Sequence, residues 1–321
     1  MEAALTTLTS PVILFFLLGG LAAFARSDLA IPDAVAKGLS IYLMIAIGLK
    51  GGVEVSKTGI TPDLLVAAAA GLALSFLIPF GAFALLRSIG RLSATDAGAV
   101  AAHYGSVSVV TFVTATEILT KQGLSAAGYM VAVLALMETP AIITGLFLAR
   151  RGDKAPGQPR QSGGLLHEVL LNASVVLLVG SFLIGATAGP SGYEPIKPVF
   201  DGLFRGLLAI FLLDMGLVAG RRLMETRSLT GRLVALAIAL PLMNGIIGTG
   251  IGILIGLDTA SAAALGILAA SASYIAVPAA MRLALPQADP GLYLSMSLGV
   301  TFPFNIIIGI PLFAEMARAL S

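Results

Sequence analysis

Two short segments of this chain place small polar residues in the middle of long apolar stretches. They are HYGSVSVVT, residues His103–Thr111, and SASYIAVP, residues Ser271–Pro278. Gly105 lowers helix stability and Pro278 cannot donate a backbone hydrogen bond, so these positions predict breaks in two otherwise continuous helices. A break inside a membrane leaves N–H and C=O groups that lipid cannot satisfy, and they must then line a cavity or bind something.

Two such breaks offer the chemistry to bind a small anion and a cation. Half-helix amino termini present free N–H groups and partial positive charge, which favour oxyanions. Opposed carbonyl ends can coordinate a cation such as sodium, and the absence of Arg and Lys from both segments indicates an anion held by dipoles and amides. The alternative is close helix packing by small residues whose hydroxyls bond to their own helices. The hydroxyl residues concerned are Ser106, Ser108, Thr111, Ser271 and Ser273.

Four ionisable residues interrupt apolar stretches, where a charge at the bilayer centre costs roughly 2.5 kcal/mol or more. Asp96 either caps the start of a helix or takes part in cation binding. Glu138 and Asp214 either pair with Arg205 or polar neighbours as structural contacts, or act in polar or proton coupling. His103 either bonds to a neighbouring helix or titrates in proton coupling.

The composition predicts that these residues lie in membrane-spanning helices. Hydrophobic residues make up 57% of the 321 positions and charged residues 11%, whereas a soluble domain carries roughly a quarter charged residues. The apolar stretches are long enough to cross a hydrocarbon core of about 30 Å as helices. The predicted spans are Ala3–Ala25, Pro32–Gly52, Leu64–Leu86, Ala94–Leu119, Ser125–Ala149, Val169–Tyr193, Lys197–Gly220, Leu233–Leu257, Thr259–Met281 and Pro290–Ala314.

Enzymatic and nucleic-acid functions find no support in the sequence. There is no cysteine, and no HExxH, P-loop or GxGxxG motif occurs, which argues against thiol chemistry, metalloproteolysis and nucleotide binding. The net charge of +2 gives no basic surface for nucleic acid. We therefore predict a protein that is not an enzyme and needs no cofactor beyond a coupling ion.

The chain divides into two similar halves. A Pro- and Gly-rich linker, residues 151–164, separates a first five-helix repeat, residues 1–150, from a second, residues 165–321. IYLMIAIGLKGG (Ile41–Gly52) aligns with AIFLLDMGLVAG (Ala209–Gly220), and GSVSVV (Gly105–Val110) aligns with ASASYI (Ala270–Ile275). Because each half has an odd number of spans, the fold class predicted is an all-α membrane protein of ten helices in a 5+5 inverted repeat with two broken, crossing helices.

The basic residues predict the orientation of the chain. With both termini outside and the linker cytoplasmic, thirteen of the 19 Lys and Arg residues lie inside, as the positive-inside rule requires. Five basic residues then lie outside: Lys50, Lys57, Lys121, Lys197 and Arg318.

Several motifs resemble those of the sodium-dependent bicarbonate transporter family, and they run through nearly the whole chain. The more specific ones are the FDGLFRGLL segment and the two broken spans. The motifs are IPDAV near Ile31, GLKGG at Gly48, the segment Thr95–Thr111, METPA at Met137, PVFDGLFRGLLAIFLLDMG from Pro198, ASASYIAVPAAMR from Ala270, and LPQADP.

This resemblance implies sodium-coupled bicarbonate uptake across a bacterial inner membrane by a multi-pass homotrimer with core and gate domains. Bicarbonate is expected where the broken helices cross, with sodium beside it, and a PII-like regulatory partner is allowed. The implied substrate residues are Gly105, Ser106, Ser108, Thr111, Ser271, Ser273 and Tyr274, and the implied cation residues are Asp96, Gly105 and Ser273.

Two departures from the family pattern leave more than one substrate and coupling ion compatible with the sequence. Tyr274 stands where relatives commonly have an acidic residue, and His103 replaces an apolar residue. Sodium- or proton-coupled transport of another small anion, a monocarboxylate or sulfate, fits the same features. An anion channel would need a continuous polar stripe along several spans, and the sequence shows none.

Overall fold

The computed structural model describes residues 11–152, 173–225 and 229–320, and every regular element in these ranges is a helix. The predicted all-helical class is confirmed. The predicted linker lies outside the described residues from residue 153 onward. The beginnings of the first and sixth predicted spans also lie outside them.

The described part of the first half forms α1 to α7. The fourth predicted span is divided into α4 and α5, and the fifth into α6 and α7, which meet at Glu138 and Thr139. The bounds are α1 Pro11–Phe24, α2 Asp33–Thr58, α3 Pro62–Ser88, α4 Ala94–Gly105, α5 Val109–Lys121, α6 Met130–Met137 and α7 Pro140–Gly152.

The described part of the second half forms α8 to α13. The ninth predicted span is divided into α11 and α12, and α13 contains two π-helical stretches, Ser295–Thr301 and Asn305–Gly309. A 3₁₀ turn, Glu194–Ile196, and a π-helical turn, Pro198–Gly202, connect α8 to α9. The bounds are α8 Ala173–Tyr193, α9 Phe204–Glu225, α10 Gly231–Leu254, α11 Thr259–Ala270, α12 Ala276–Ala284 and α13 Pro290–Leu320.

Side-chain caps fix where several helices begin. The Thr61 hydroxyl accepts the backbone N–H of Leu64 at 3.3 Å at the start of α3. The Asp258 carboxylate accepts the N–H of Ser261 at 2.9 Å at the start of α11. Each cap satisfies a donor that has no partner within its own helix.

Six helical segments within the described residues are long and apolar enough to cross a membrane. The remaining predicted spans coincide with α1, α8, α9 and the divided pair α11 and α12. Of these, α1, α11 and α12 are shorter, α9 carries several charges, and α8 is interrupted by the non-helical residue Gly189. The ten-span count stays a prediction. The six segments are Asp33–Lys57, Pro62–Ser88, Ala94–Lys121, Met130–Arg150, Gly231–Leu254 and Pro290–Leu320.

Four helices, α1, α2, α8 and α9, pack together as one group, here called the four-helix group. Its most extensive contacts are between α1 and α9 and between α2 and α8. A methyl group added at Gly19 or Gly216 would collide with backbone of α9 or α1, and one at Gly52 or Gly185 with backbone of α8 or α2. Small residues therefore allow direct backbone contact, as is common between membrane helices.

The other helices, α3 to α7 and α10 to α13, form the core group, which contains all three divided spans. The most apolar stretch of Ala94–Lys121 is entirely buried, and α11 is buried from Ala260 to its end. The irregular backbone at both breaks is thus enclosed by protein, which is the condition under which a membrane tolerates it.

Candidate functional site

Both predicted breaks are present, which confirms that the fourth and ninth spans are interrupted. Ser106 and Ser108 have extended backbone between α4 and α5, with φ and ψ of −83° and 175°, and of −109° and 111°. Ser271 is extended after α11. Pro278 lies in the first turn of α12 rather than at the break, in a position where a missing N–H costs little.

The two breaks are in direct contact through their backbones. The N–H of Ser108 donates to the Ser271 hydroxyl at 2.9 Å, and the N–H of Ser273 donates to the carbonyl of His103 at 2.9 Å. Each break thus supplies a hydrogen-bond partner to the other. The two breaks therefore meet at one place, here called the crossing, and a crossing of the broken helices near the membrane midplane stays a prediction.

The four serine hydroxyls fall into two classes. The hydroxyls of Ser106 and Ser271 donate to the carbonyls of Glu138 and Leu268, at 3.1 and 2.7 Å. Their donor hydrogens are therefore used inside the protein.

Ser108 and Ser273 act as acceptors instead. The Ser108 hydroxyl accepts the N–H of Thr111 at 3.1 Å, capping α5, and the Ser273 hydroxyl accepts the N–H of Val277 at 3.4 Å in α12. The Ser273 hydroxyl donates to no described residue, and the acceptor beside the Ser108 hydroxyl is the Tyr274 hydroxyl. Both donor hydrogens can therefore turn toward an anion near the amino ends of two half-helices.

Tyr274 joins the two breaks at their side chains. Its ring lies edge-on to Phe302, with ring centroids 5.3 Å apart, and is 8% exposed. Its hydroxyl lies beside the Ser108 side chain but forms no hydrogen bond of normal geometry with any residue the structure describes. Tyr274 therefore lines one side of the crossing, and its hydroxyl oxygen is available to a ligand.

Gly105 has a packing role at the end of α4. A methyl group at this position would collide with the Pro79 side chain of α3, with its Cδ at 2.5 Å, and with Ala141 of α7 at 2.9 Å. Only a residue without a side chain lets α3, α4 and α7 approach this closely.

His103 is fully buried beside the α4 break. Its Nδ1 lies 2.7 Å from the carbonyl of Ala99, so Nδ1 carries the hydrogen, and its ring stacks on Tyr293 with centroids 4.6 Å apart. Its Nε2 has no hydrogen-bond partner among the described residues. The imidazole therefore bonds mainly to its own helix and keeps one acceptor unused.

Glu138 lies at the division between α6 and α7 and contacts the first break through its backbone carbonyl, which accepts from Ser106. The residue is 2% exposed, and its Oε2 has no partner in the described part of the chain. The predicted pairing with Arg205 is wrong, because Arg205 Nε lies 2.6 Å from Glu117 Oε1. Sequence patterns within single spans do not reveal which helices face one another.

Asp214 and Asp96 lie away from the crossing. Asp214 belongs to α9 of the four-helix group, and the charged residues that act on its carboxyl group are Asp33 and Arg221. Its predicted pairing with Arg205 is also wrong.

Asp96 lies in the first turn of α4, about 14 Å along the helix from Gly105 at 1.5 Å per residue. Its N–H donates to the Ser93 hydroxyl at 3.0 Å, and its Oδ1 accepts the N–H of Asp289 at 2.9 Å. This is the helix-start role given above, and cation binding by Asp96 stays a prediction.

Sequence reasoning missed two polar residues, one beside the crossing and one farther along α5. Asn305 of α13 donates through Nδ2 to the carbonyl of Ala270, the last residue of α11, at 2.8 Å, while its Oδ1 has no partner within the described ranges. Glu117 of α5 was also missed. Both were detectable as polar groups inside apolar spans, where each calls for a reason.

A cavity of about 960 Å³, here called the vestibule, opens between the two helix groups. Its lining includes Ile47 and Lys50 of α2, Phe112 and Glu117 of α5, and Arg205 of α9. Phe112 directly follows Thr111, so the vestibule reaches the first turn of α5. In the predicted orientation it opens to the outside.

No described group of three or more His, Asp or Glu side chains could hold a metal ion. The oxygen atoms available at the crossing are instead backbone carbonyls and hydroxyls, with Glu138 and Asn305 adjacent. Such oxygen donors suit a hard cation, whereas soft metals prefer thiolate ligands.

Interrupted helices that meet at the centre of an apolar helical protein are characteristic of multi-pass secondary transporters. The family model described as the Na⁺-dependent bicarbonate transporter superfamily matches residues 11–318. The chain therefore belongs to this superfamily, as the motifs predicted. Comparison with curated proteins finds no significant match.

Proposed function

We propose that this protein is a secondary active transporter that takes up bicarbonate together with sodium. The observation that carries the proposal is the pair of half-helix amino termini, α5 and α12, with Ser108 capping α5 and Ser273 lying three residues before α12. The Ser273 hydroxyl donates to no described residue, and the Ser108 hydroxyl has only Tyr274 beside it, so both have a hydrogen that can turn to an oxyanion. Superfamily membership supports bicarbonate as that oxyanion.

The proposed anion site lies where the two breaks touch. Ser108 and Ser273 supply hydroxyl donors, and the first turn of α5, up to Thr111, supplies amides under the helix dipole. Tyr274 forms a wall with an unused hydroxyl. Gly105, Ser106 and Ser271 support this geometry through packing and internal hydrogen bonds.

The proposed sodium site uses the carbonyl ends of α4 and α11, near Gly105 and Ser273. Helix carboxyl ends carry partial negative charge, which favours a cation. A proton is the alternative coupling ion, favoured by one observation, the buried Glu138 carboxyl whose Oε2 has no partner among the described residues.

A 5+5 inverted repeat is supported by matched packing in the four-helix group. Gly19 of α1 packs on Leu213 of α9, while Gly185 of α8 packs on Leu49 of α2. Gly216 packs on α1 and Gly52 packs on α8 in the same reciprocal manner. These contacts favour Gly216 as the equivalent of Gly52 in the second half. The sequence alignment above pairs Gly52 with Gly220 instead, about one helical turn farther along α9.

Location in a bacterial inner membrane agrees with the apolar helices and the predicted positive-inside bias. The homotrimer and the PII-like partner have no support in the single chain and stay predictions.

Uptake of labelled bicarbonate by proteoliposomes tests the proposal. We expect uptake that requires an inward sodium gradient and disappears when potassium replaces sodium. Uptake driven by a proton gradient alone would establish the alternative coupling ion. Absence of bicarbonate uptake, with uptake of labelled acetate or sulfate instead, would refute the proposed substrate.

A further inference from the structure

The vestibule is bounded by residues of both helix groups, and an ion pair crosses it. Arg205 Nε lies 2.6 Å from Glu117 Oε1, a contact between opposite charges without the geometry of a hydrogen bond. Arg205 is the second residue of α9 in the four-helix group, and Glu117 lies on α5 in the core group. The pair therefore connects the two groups directly.

Glu117 is mechanically linked to the proposed anion site. It lies nine residues after Ser108, which places it about 14 Å along the same helix at 1.5 Å per residue. Ser108 caps the amino end of α5 that faces the second break. A force applied at Glu117 therefore acts on one half of the binding site through a continuous helix.

The environment of the pair distinguishes it from a surface contact. The Glu117 side chain is 9% exposed and the Arg205 side chain 61% exposed. Lys121 Nζ lies 3.6 Å from the same Glu117 oxygen. Removing Arg205 therefore leaves the carboxylate with a cation nearby, and removing the carboxylate leaves an exposed guanidinium in water.

We propose that Arg205 and Glu117 are a positioning pair that holds α5 against the four-helix group while the vestibule is open. The proposal deepens the proposed transport function and rests on it. A transporter must close one side before opening the other, so the two groups must change their relative position. The pair stabilises the arrangement with the vestibule open and must separate when the vestibule closes.

A second ion pair in the same cavity provides a matched control. Lys50 Nζ lies 2.7 Å from Asp201 Oδ1, which also accepts from the Tyr193 hydroxyl at 2.9 Å. Lys50 belongs to α2, and Asp201 lies in the turn leading into α9. This pair therefore lies within the four-helix group and does not connect it to α5.

The absence of cysteine from the chain makes a single introduced cysteine a clean reporter. Thr116→Cys places a thiol on α5 in the vestibule wall, next to Glu117. Its rate of labelling by a membrane-impermeant maleimide, in the full-length protein in liposomes, reports how often the vestibule is open.

We expect Arg205→Gln and Glu117→Gln each to slow labelling of this cysteine roughly two- to five-fold. This factor corresponds to the coupling free energies measured for exposed ion pairs. The charge exchange Arg205→Glu with Glu117→Arg should restore much of the rate, and Asp201→Asn should leave it unchanged. Equal labelling of all variants, or no recovery in the charge exchange, would overturn the proposal.

Bicarbonate uptake by the Thr116→Cys parent separates this inference from the proposed function. If the parent lacks bicarbonate uptake but its labelling follows the expected order, the positioning pair stands and the substrate assignment fails. If the parent takes up bicarbonate and labelling is insensitive to the pair, the inference alone fails.

Discussion

Replacement of Ser108 by alanine is the most direct test of the proposed anion site. The substitution removes two interactions, the cap on the Thr111 N–H at 3.1 Å and the proposed donor to the anion. Loss of an N-cap costs about 0.5–2 kcal/mol of stability. Loss of a hydrogen bond to a charged group costs about 1.5–3 kcal/mol of binding free energy.

The two losses have different readouts. At 1.4 kcal/mol per factor of ten, the lost donor should raise the half-saturating bicarbonate concentration roughly 10- to 150-fold. The lost cap should lower thermal stability while the protein stays inserted. Ser108→Thr keeps a hydroxyl and should recover most of the affinity.

Thr61→Ala is the matched control, because Thr61 also caps a helix, through Leu64 at 3.3 Å, but lies far from the crossing. We expect it to lose stability without loss of affinity in the same uptake assay. If Ser108→Ala and Thr61→Ala give the same half-saturating concentration as the unmodified protein, Ser108 does not bind the anion and the reasoning is refuted.

Three further predictions concern packing, coupling and orientation. Gly105→Ala should destabilise the protein by about 1–3 kcal/mol, because the added methyl group would overpack against Pro79. Thermal unfolding measures this loss, and unchanged stability would contradict the prediction by showing that α3 moves aside. Tyr274→Asp should steepen the sodium dependence of uptake, because a carboxylate next to Ser273 would add negative charge at the proposed sodium site. An unmodified protein that is already steeply sodium-dependent, with this variant unchanged or inactive, would contradict this prediction. Cysteines at Ser162 and Ser321 should label from inside and outside, respectively, with an impermeant maleimide, and labelling of position 162 in intact cells would reverse the topology.

The breaks could be predicted from sequence because their cause is local. Clusters of Gly, Ser and Pro inside apolar runs weaken helices wherever they occur, and both clusters coincide with interruptions in the structure. The cap at Ser108 follows the same rule, since its hydroxyl satisfies an N–H three residues later. The family motifs also lie in these segments, so superfamily membership could be predicted from the same residues.

The partners of buried polar groups could not be predicted, because they depend on which helices meet. One alternative in the sequence analysis paired Arg205 with Glu138 or Asp214, yet its partner is Glu117, on a helix of the other group. The division of the fifth span at Glu138 was not predicted either. Its carbonyl accepts from Ser106, a residue 32 positions earlier, and no periodicity encodes such a contact.

The reciprocal hydrogen bonds between the breaks have a consequence for the biogenesis of the protein. When the first half has entered the membrane alone, the Ser108 N–H and the His103 carbonyl have not yet met their partners in the second half. Unsatisfied backbone groups in an apolar interior cost several kcal/mol each. We therefore expect the first break to stay hydrated, or to refold into continuous helix, until Ser271 and Ser273 arrive. The proposed binding site would then form late in synthesis, only after the ninth span has been inserted.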